Sequence, residues 1–186
     1  MKRLFDLLLF VISLLLLALP LIIVAILVKF TSTGPVLYWS DRVGKDNKIF
    51  RMPKFRSMDV DTPEVATHLL ENPHDALTSM GGFLRKSSLD ELPQLWNILM
   101  GEMSFVGPRP VLFNHSELIE LRTQKNVHTL LPGLTGWAQI NGRDEISEEK
   151  KSELDEEYLQ QQSLIFDIKI IWLTFWKVIL RHDVSH

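Results

Sequence analysis

Residues Leu4–Phe30 read LFDLLLFVISLLLLALPLIIVAILVKF, and the reading of this stretch decides what kind of fold the chain can have. It is apolar from Leu4 to Val28, broken only by Asp6, Ser13 and Pro20. Roughly 20 helical residues cross the hydrocarbon core of a bilayer, so the run is long enough to enter a membrane and to span it. The run continues well past Pro20 and no small-x-small site follows, which argues against a cleaved signal peptide. Positive charge marks the cytoplasmic side of such a segment. Here it flanks both ends, with Lys2 and Arg3 before the run and Lys29, Arg42, Lys45 and Lys48 after it. At Pro20 the ring displaces the carbonyl four residues back and kinks the helix. Two arrangements meet these facts: a plain transmembrane anchor with a tolerated proline, and a kinked hairpin that enters and leaves by one face.

A second membrane signal closes the chain. In LIFDIKIIWLTFWKVILRHD, from Leu164, the residues Asp167, Thr174, Lys177 and Arg181 fall close together on a helical wheel. The rest of that wheel is apolar and carries Trp172 and Trp176, a residue type favoured at bilayer interfaces. Lys169 sits among the aromatic residues, where its stem can snorkel towards headgroups. A core helix of the same periodicity is the alternative.

Composition narrows the function. The chain has 186 residues, enough for one domain with a real core. Its formal net charge of -3 gives no basic field of the kind a general nucleic-acid binder carries. It has no cysteine, which excludes disulfides, thiol catalysis and cysteine-based zinc sites. Between the membrane signals, VLYW and KIFRM read as two short strands joined through SDRVGKDN, with Gly44 and Asn47 as turn residues. Asp59 to Met80 reads as a long loop with a short helix, and Ser116 to Lys125 as a helix. LPGLTGWAQINGR reads as a short strand between tight turns, and Glu145 to Gln162 as an acidic helix with a solvated face.

The segment SSLDELPQLWNIL, Ser87 to Leu99, sets Asp90 beside Glu91 ahead of an apolar run. Ser88-x-x-Glu91 matches a capping box, and acids at a helix N-terminus gain about 0.3–1 kcal/mol from the macrodipole. Pro93 spoils that register, because a helix capped by Ser88 needs an N–H there. Basic residues surround the pair in sequence: Arg85 and Lys86 before it, Lys54 and Arg56 in KFR, and Arg109 between two prolines in GPRP. Cations around a phosphorus attacked by an oxygen are what phosphoryl transfer needs. A carboxylate can be that nucleophile, and a neighbouring one can hold the divalent cation that neutralises a diphosphate. On these residues alone, helix cap and anion site both stand.

Three blocks then carry a resemblance. KFRSM (Lys54–Met58), LRKSSLDELPQLWNILMGEMSFVGPRP (Leu84–Pro110) and PGLTGWAQINGR (Pro132–Arg143) resemble the bacterial sugar transferases, in particular the small monotopic phosphoglycosyl transferases. The resemblance runs from Lys2 to about Leu180, and departs from the usual pattern at Leu19, where Ser is common, and at Ser40, where Gln is common. It implies transfer of a phosphosugar from a UDP-sugar to undecaprenyl phosphate, with release of UMP, as a first membrane step of surface glycan synthesis. It implies Asp90 as nucleophile through a covalent phosphosugar intermediate, with Glu91 beside it as a catalytic residue and Mg²⁺ ligand. Lys54, Arg56, Arg85, Arg109 and Arg143 fall in the phosphate- and nucleotide-binding group. The implied fold is α+β and helix-rich: a re-entrant membrane helix over 1–30 broken at Pro20, then one integrated domain over 31–186. A small β-hairpin and interfacial amphipathic helices belong to that domain, the last helix at about 164–181, all on the cytoplasmic face of the bacterial inner membrane. A metal-dependent glycosyltransferase releasing UDP, and a non-catalytic membrane adaptor, are the competing functions.

Overall fold

The computed structural model describes residues 1–63, 75–142 and 146–180. The apolar run forms helix α1 (Lys2–Thr31), long and apolar enough to cross a membrane. Pro20 lies inside it, and the helix continues through the proline. The break expected there is therefore not seen as a gap in the helix. Proline's fixed φ suits the helix, and its missing N–H leaves the Leu16 carbonyl without an intrahelical partner. One stripe of α1 packs on the rest of the chain. Phe10 and Leu17 meet a cluster of Phe50, Met52, Leu95, Ile98 and Met103. Further on, Leu21, Val24, Ala25 and Val28 meet Phe55 and Leu84. The opposite stripe, including Leu4, Leu8, Leu15, Leu16, Leu19 and Phe30, is exposed.

The start of α1 is held by charge. Lys2 Nζ lies 2.6 Å from Asp167 Oδ2 and donates to the Tyr158 hydroxyl at 3.2 Å. Asp6 Oδ1 accepts from Ser104 Oγ at 2.9 Å and from the Phe105 N–H at 3.1 Å.

After the turn at Gly34, strands β1 (Leu37–Val43) and β2 (Ile49–Phe55) form an antiparallel hairpin, Leu37 opposite Phe55 and Val43 opposite Ile49. Both strands are longer than expected: Ser40–Val43 extends β1 into the expected connection, and Pro53–Phe55 extends β2 opposite Leu37–Trp39. The turn itself is tight, with Asp46 and Asn47 at φ of 56° and 57°, a region that short polar side chains tolerate. Strand β4 (Val111–Leu112) pairs with the other edge of β1. Between them in sequence lie α2 (Gly81–Ser87), a 3₁₀ turn (Leu89–Gln94), α3 (Leu95–Met100) and β3 (Ser104–Val106).

Helix α4 (Ser116–Gln124) follows as read from the sequence. Strand β5 (Gly133–Thr135) runs parallel to β3, and α5 (Trp137–Ile140) is a one-turn helix where only turns were expected. The glycines sit on either side of Trp137–Ile140, so that turn itself contains no breaker. β3 and β5 approach so closely that a Cβ on Gly107 would lie 2.3 Å from the Leu131 carbonyl oxygen. One on Gly133 would lie 2.1 Å from the Gly107 nitrogen.

Helices α6 (Glu148–Gln161) and α7 (Leu164–Leu180) close the fold. The expected solvated face of α6 is only half the picture, since Ser152, Leu154, Asp155 and Tyr158 are buried. Periodic Leu154 and Tyr158 carry that stripe inward. On α7, Asp167 and Thr174 of the polar stripe also face protein, and Arg181 lies outside the described residues. Asp167 is buried against Lys2 and Tyr158, and Thr174 shares a 2.7 Å hydrogen bond with Thr135. Phe166 and Ile170 join a core of Val106, Val127, Leu130, Ile140 and Tyr158. The residues that α7 exposes are mostly apolar, Ile165, Ile168, Trp172, Phe175, Trp176 and Val178, with Lys169 among them. The result is a helix-rich α+β fold with small sheets and one long apolar helix.

Candidate active site

The site is assembled where α2 hands the chain to the 3₁₀ turn. Ser88 adopts φ 56° and ψ 17°, a left-handed conformation that ends α2 and redirects the backbone. Pro93 has no N–H to give a regular helix, so the segment stays a 3₁₀ turn until α3 begins at Leu95. No side chain caps that turn. The capping-box alternative therefore fails on geometry: Glu91 does not reach back to Ser88, but outward.

Glu91 Oε1 accepts from Lys54 Nζ at 2.7 Å and from Arg109 Nη2 at 2.9 Å. Lys54 comes from near the end of β2, and Arg109 from the loop between β3 and β4, so three distant segments meet on one carboxylate oxygen. Asp90, only 7% exposed, lies beside this pair, in the field of Lys54, Arg85 and Arg109. Arg85, in the last turn of α2, also donates to Met58 Sδ at 3.3 Å.

The two adjacent carboxylates differ in character. Burial pushes the Asp90 carboxyl above its ordinary value; Lys54 opposes this, Glu91 adds to it, and Arg85 and Arg109 oppose it. Burial also acts against ionised Glu91. There Arg109 and Lys54, by charge and by hydrogen bond, more than offset it and hold the group well below the usual carboxylate range. The site thus offers one carboxylate locked in its ionised form and one poised closer to neutrality, with the cations Lys54, Arg85 and Arg109 around them.

Arg56 stands apart from this cluster. Its Nε donates to the Pro35 carbonyl at 2.9 Å and its guanidinium lies 6.0 Å from the Tyr38 ring centroid. Arg143 and part of the long loop lie outside the described residues. Among the described residues no group of three or more His, Cys, Asp or Glu side chains could hold a metal by itself. Magnesium rarely needs one, since it takes one or two carboxylates and completes its shell with water and substrate phosphates. Glu91, ionised and approached by both cations on the same oxygen, is compatible with that role.

Sequence reading missed the side chains that hold the site from behind. Arg122 on α4 and Asp155 on α6 form a buried pair, and Arg122 also donates to the Arg109 carbonyl. The signal was faint: an aspartate between Leu154 and the periodic apolar Tyr158 of α6. Asp6, an acid inside an apolar run, was the clearer hint, because such a charge requires a partner.

The profile of the bacterial sugar transferase family matches residues 1–181, and the chain belongs to that family. It is 44% identical over 187 residues to the UDP-glucose:undecaprenyl-phosphate glucose-1-phosphate transferase of Escherichia coli (strain K12), covering 95% of this chain and 40% of that protein. It is 40% identical to the uncharacterized sugar transferase EpsL of Bacillus subtilis (strain 168), over 100% of this chain and 90% of EpsL. It is 36% identical to the undecaprenyl-phosphate galactose phosphotransferase of Salmonella typhimurium, over 100% of this chain and 42% of that one. The chain thus spans about two-fifths of the length of the longer relatives and most of EpsL.

Proposed function

We propose that the chain is a phosphoglycosyl transferase that moves a phosphosugar from a UDP-sugar to undecaprenyl phosphate at the cytoplasmic face of the bacterial inner membrane. The observation that carries the reading is the buried Asp90 set among Lys54, Arg85 and Arg109 beside an ionised Glu91. A nucleophile needs to be ionised to attack, and a diphosphate needs cations to be approached by an anion. Here the same three cations favour the ionised form of Asp90 against its burial and stand where a diphosphate would need them.

In the first step an Asp90 carboxylate oxygen attacks the sugar-bearing phosphorus. The bond from that phosphorus to the bridging oxygen breaks, and UMP leaves with the bridging oxygen and its electron pair. In the second step an oxygen of undecaprenyl phosphate attacks the same phosphorus, and Asp90 departs as a carboxylate. The product is a sugar-diphosphate lipid, and the enzyme regains its starting form. Lys54 and Arg109 would neutralise the oxygens that gain charge, and Lys54, Arg85 and Arg109 together oppose the effect of burial on Asp90. Glu91 would hold a Mg²⁺ ion, which would supply further positive charge against the diphosphate. The names of the E. coli and S. typhimurium relatives, which include undecaprenyl phosphate, support the same acceptor here.

The membrane arrangement belongs to the same reading. Both ends of α1 pack on one body, Lys2 and Asp6 at one end and Val24 and Val28 at the other. That favours entry and exit by the same face over a full span, with Pro20, whose missing N–H leaves one helical hydrogen bond unmade, as the weak point of the helix. The outward apolar faces of α1 and α7 then lie in lipid.

Purified chain incubated with a panel of UDP-sugars, undecaprenyl phosphate and Mg²⁺ is expected to release UMP and to yield a trappable phosphosugar adduct on Asp90. Release of UDP instead would make it a glycosyltransferase, and no nucleotide binding at all would leave a membrane adaptor. Cysteines placed before Lys2 and after Lys29 are expected to label from the cytoplasmic side alone; labelling from opposite sides would establish a span.

A further inference from the structure

The GPRP loop that carries Arg109 is held on two sides. Towards β5, Gly107 donates its N–H to the Thr135 carbonyl at 2.9 Å, and the Pro108 carbonyl accepts from Gly133 at 2.8 Å. On the opposite side lies a pair for which the transfer reaction has no direct use. Arg122, 8% exposed, donates through Nε at 2.9 Å and Nη2 at 2.6 Å to one oxygen of Asp155, itself 1% exposed. Its remaining arm, Nη1, donates to the Arg109 carbonyl at 2.8 Å.

We propose that Arg122, clamped by Asp155, is a positioning residue for Arg109: it fixes the backbone of the GPRP loop so that the Arg109 guanidinium reaches both Glu91 and the donor diphosphate. This rests on the reading of Arg109 as a diphosphate-binding group.

The geometry excludes a direct role for Arg122. All three of its hydrogen-bonding arms point at protein acceptors. The cavity beside it, lined by Pro108, Arg109, Arg122, Val127, His128 and Leu130 among others, measures about 30 Å³. That admits one or two waters and neither a sugar nor a nucleoside. Arg109 benefits from a fixed base, since its side chain is about a third exposed and reaches across to a Glu91 oxygen. A long exposed side chain wanders unless its base is fixed, and lost rotamer freedom weakens binding. Pro108 and Pro110 fix φ on either side but provide no N–H for anchoring. Carbonyl capture by a buried guanidinium fixes the backbone at Arg109 itself. A lysine at 122 could pair with Asp155 but has no planar fork to reach the Arg109 carbonyl as well.

The test is a double-variant cycle on the full chain in lipid nanodiscs, read as the Kd for UDP with Mg²⁺ present and as melting temperature. Arg109→Ala alone is expected to weaken UDP about 10–100-fold. Arg122→Lys is expected to weaken UDP roughly 10-fold in the parent but under about 2-fold in the Arg109→Ala background, as coupled residues behave. Asp155→Asn, which preserves shape, is expected to follow Arg122→Lys in both backgrounds. Equal losses in the two backgrounds would assign Arg122 to general packing and overturn the positioning role. So would unchanged UDP affinity in Arg122→Lys, or failure of both the Arg122 and Asp155 variants to fold. If Arg109→Ala itself leaves UDP binding intact, the reading of Arg109 as a phosphate group fails, and the positioning role fails with it.

Discussion

Two groups of buried charge can be set side by side. At the α1–α7 clasp, Lys2 meets Asp167, with the Tyr158 hydroxyl bridging to Asp167 at 2.6 Å and to the Val106 carbonyl at 3.2 Å. Charge is balanced there, and each side chain is spent on the others. At the Asp90–Glu91 site, three cations face two carboxylates, and the Arg109 side chain stays about a third exposed. Burying charge is expensive in both places. The clasp recovers the cost internally, whereas the site keeps a surplus of positive charge at its open side. That surplus is what separates a structural ion pair from a place prepared for an anion, and it can be tested by breaking each group in turn.

The largest effect is expected at Asp90. Asp90→Asn should reduce UMP release by at least about 10³-fold and abolish the adduct. It should not lower the melting temperature. Because burial raises the folded-state value of Asp90, its stabilising contribution exists at low pH and is lost as pH rises through that raised value. In its ionised form the buried group is a burden that asparagine removes. An unstable Asp90→Asn protein would make Asp90 a structural group like Asp167.

Next comes Lys54→Met, expected to reduce kcat/KM about 30-fold, mostly through KM. The same change should move the acid limb of the pH–rate profile upward, since Lys54 is the leading influence lowering Asp90. An unmoved limb would detach Lys54 from the nucleophile.

At the clasp the pattern should reverse. Asp167→Asn leaves Lys2 without its counter-charge and should cost about 3 kcal/mol, seen as a melting temperature roughly 10 °C lower. Turnover per folded molecule is expected to change less than about 2-fold, and a kinetic loss matching that of Lys54→Met would erase the contrast. Glu91 offers a finer comparison with its neighbour. Its folded-state value is depressed by Arg109 and Lys54, so its contribution is present above the ordinary carboxylate range and is lost as pH falls through the depressed value. Glu91→Gln should therefore destabilise at neutral pH, with the difference from the parent shrinking in acid. The smallest effect is expected far from both groups. Ser147 accepts from the Lys150 N–H at the start of α6, and Ser147→Ala should cost about 1 kcal/mol with activity intact.

Much of this was legible in order along the chain. The apolar run announced α1, turn residues between two short strand-like stretches announced the hairpin, and Asp90, Glu91, Lys54, Arg85 and Arg109 were all singled out before their meeting was known. These signals are local: hydrophobic period, turn chemistry, and acids and bases in short motifs. Arg56 shows their limit, because a basic residue two positions from Lys54 turns instead to the Pro35 carbonyl. α6 shows it too, since an acidic helix reads as solvated while Asp155 is buried; on α7 the sequence left interface and core both open, and Asp167 is buried.

By itself, then, the sequence determined a membrane-seeking helix, a β-hairpin, and a carboxylate pair with cations available to it, because each depends on neighbours along the chain. Only the tertiary structure decided which cations arrive. Lys54 and Arg109 lie 37 and 18 residues from Glu91, and their approach is fixed by strand register and by the close backbone contact of Gly107 with Gly133. It also decided that Glu91 stays ionised while Asp90 is pushed towards neutrality. That split arises from burial and from the direction of nearby charge, and adjacent residues in a sequence carry neither.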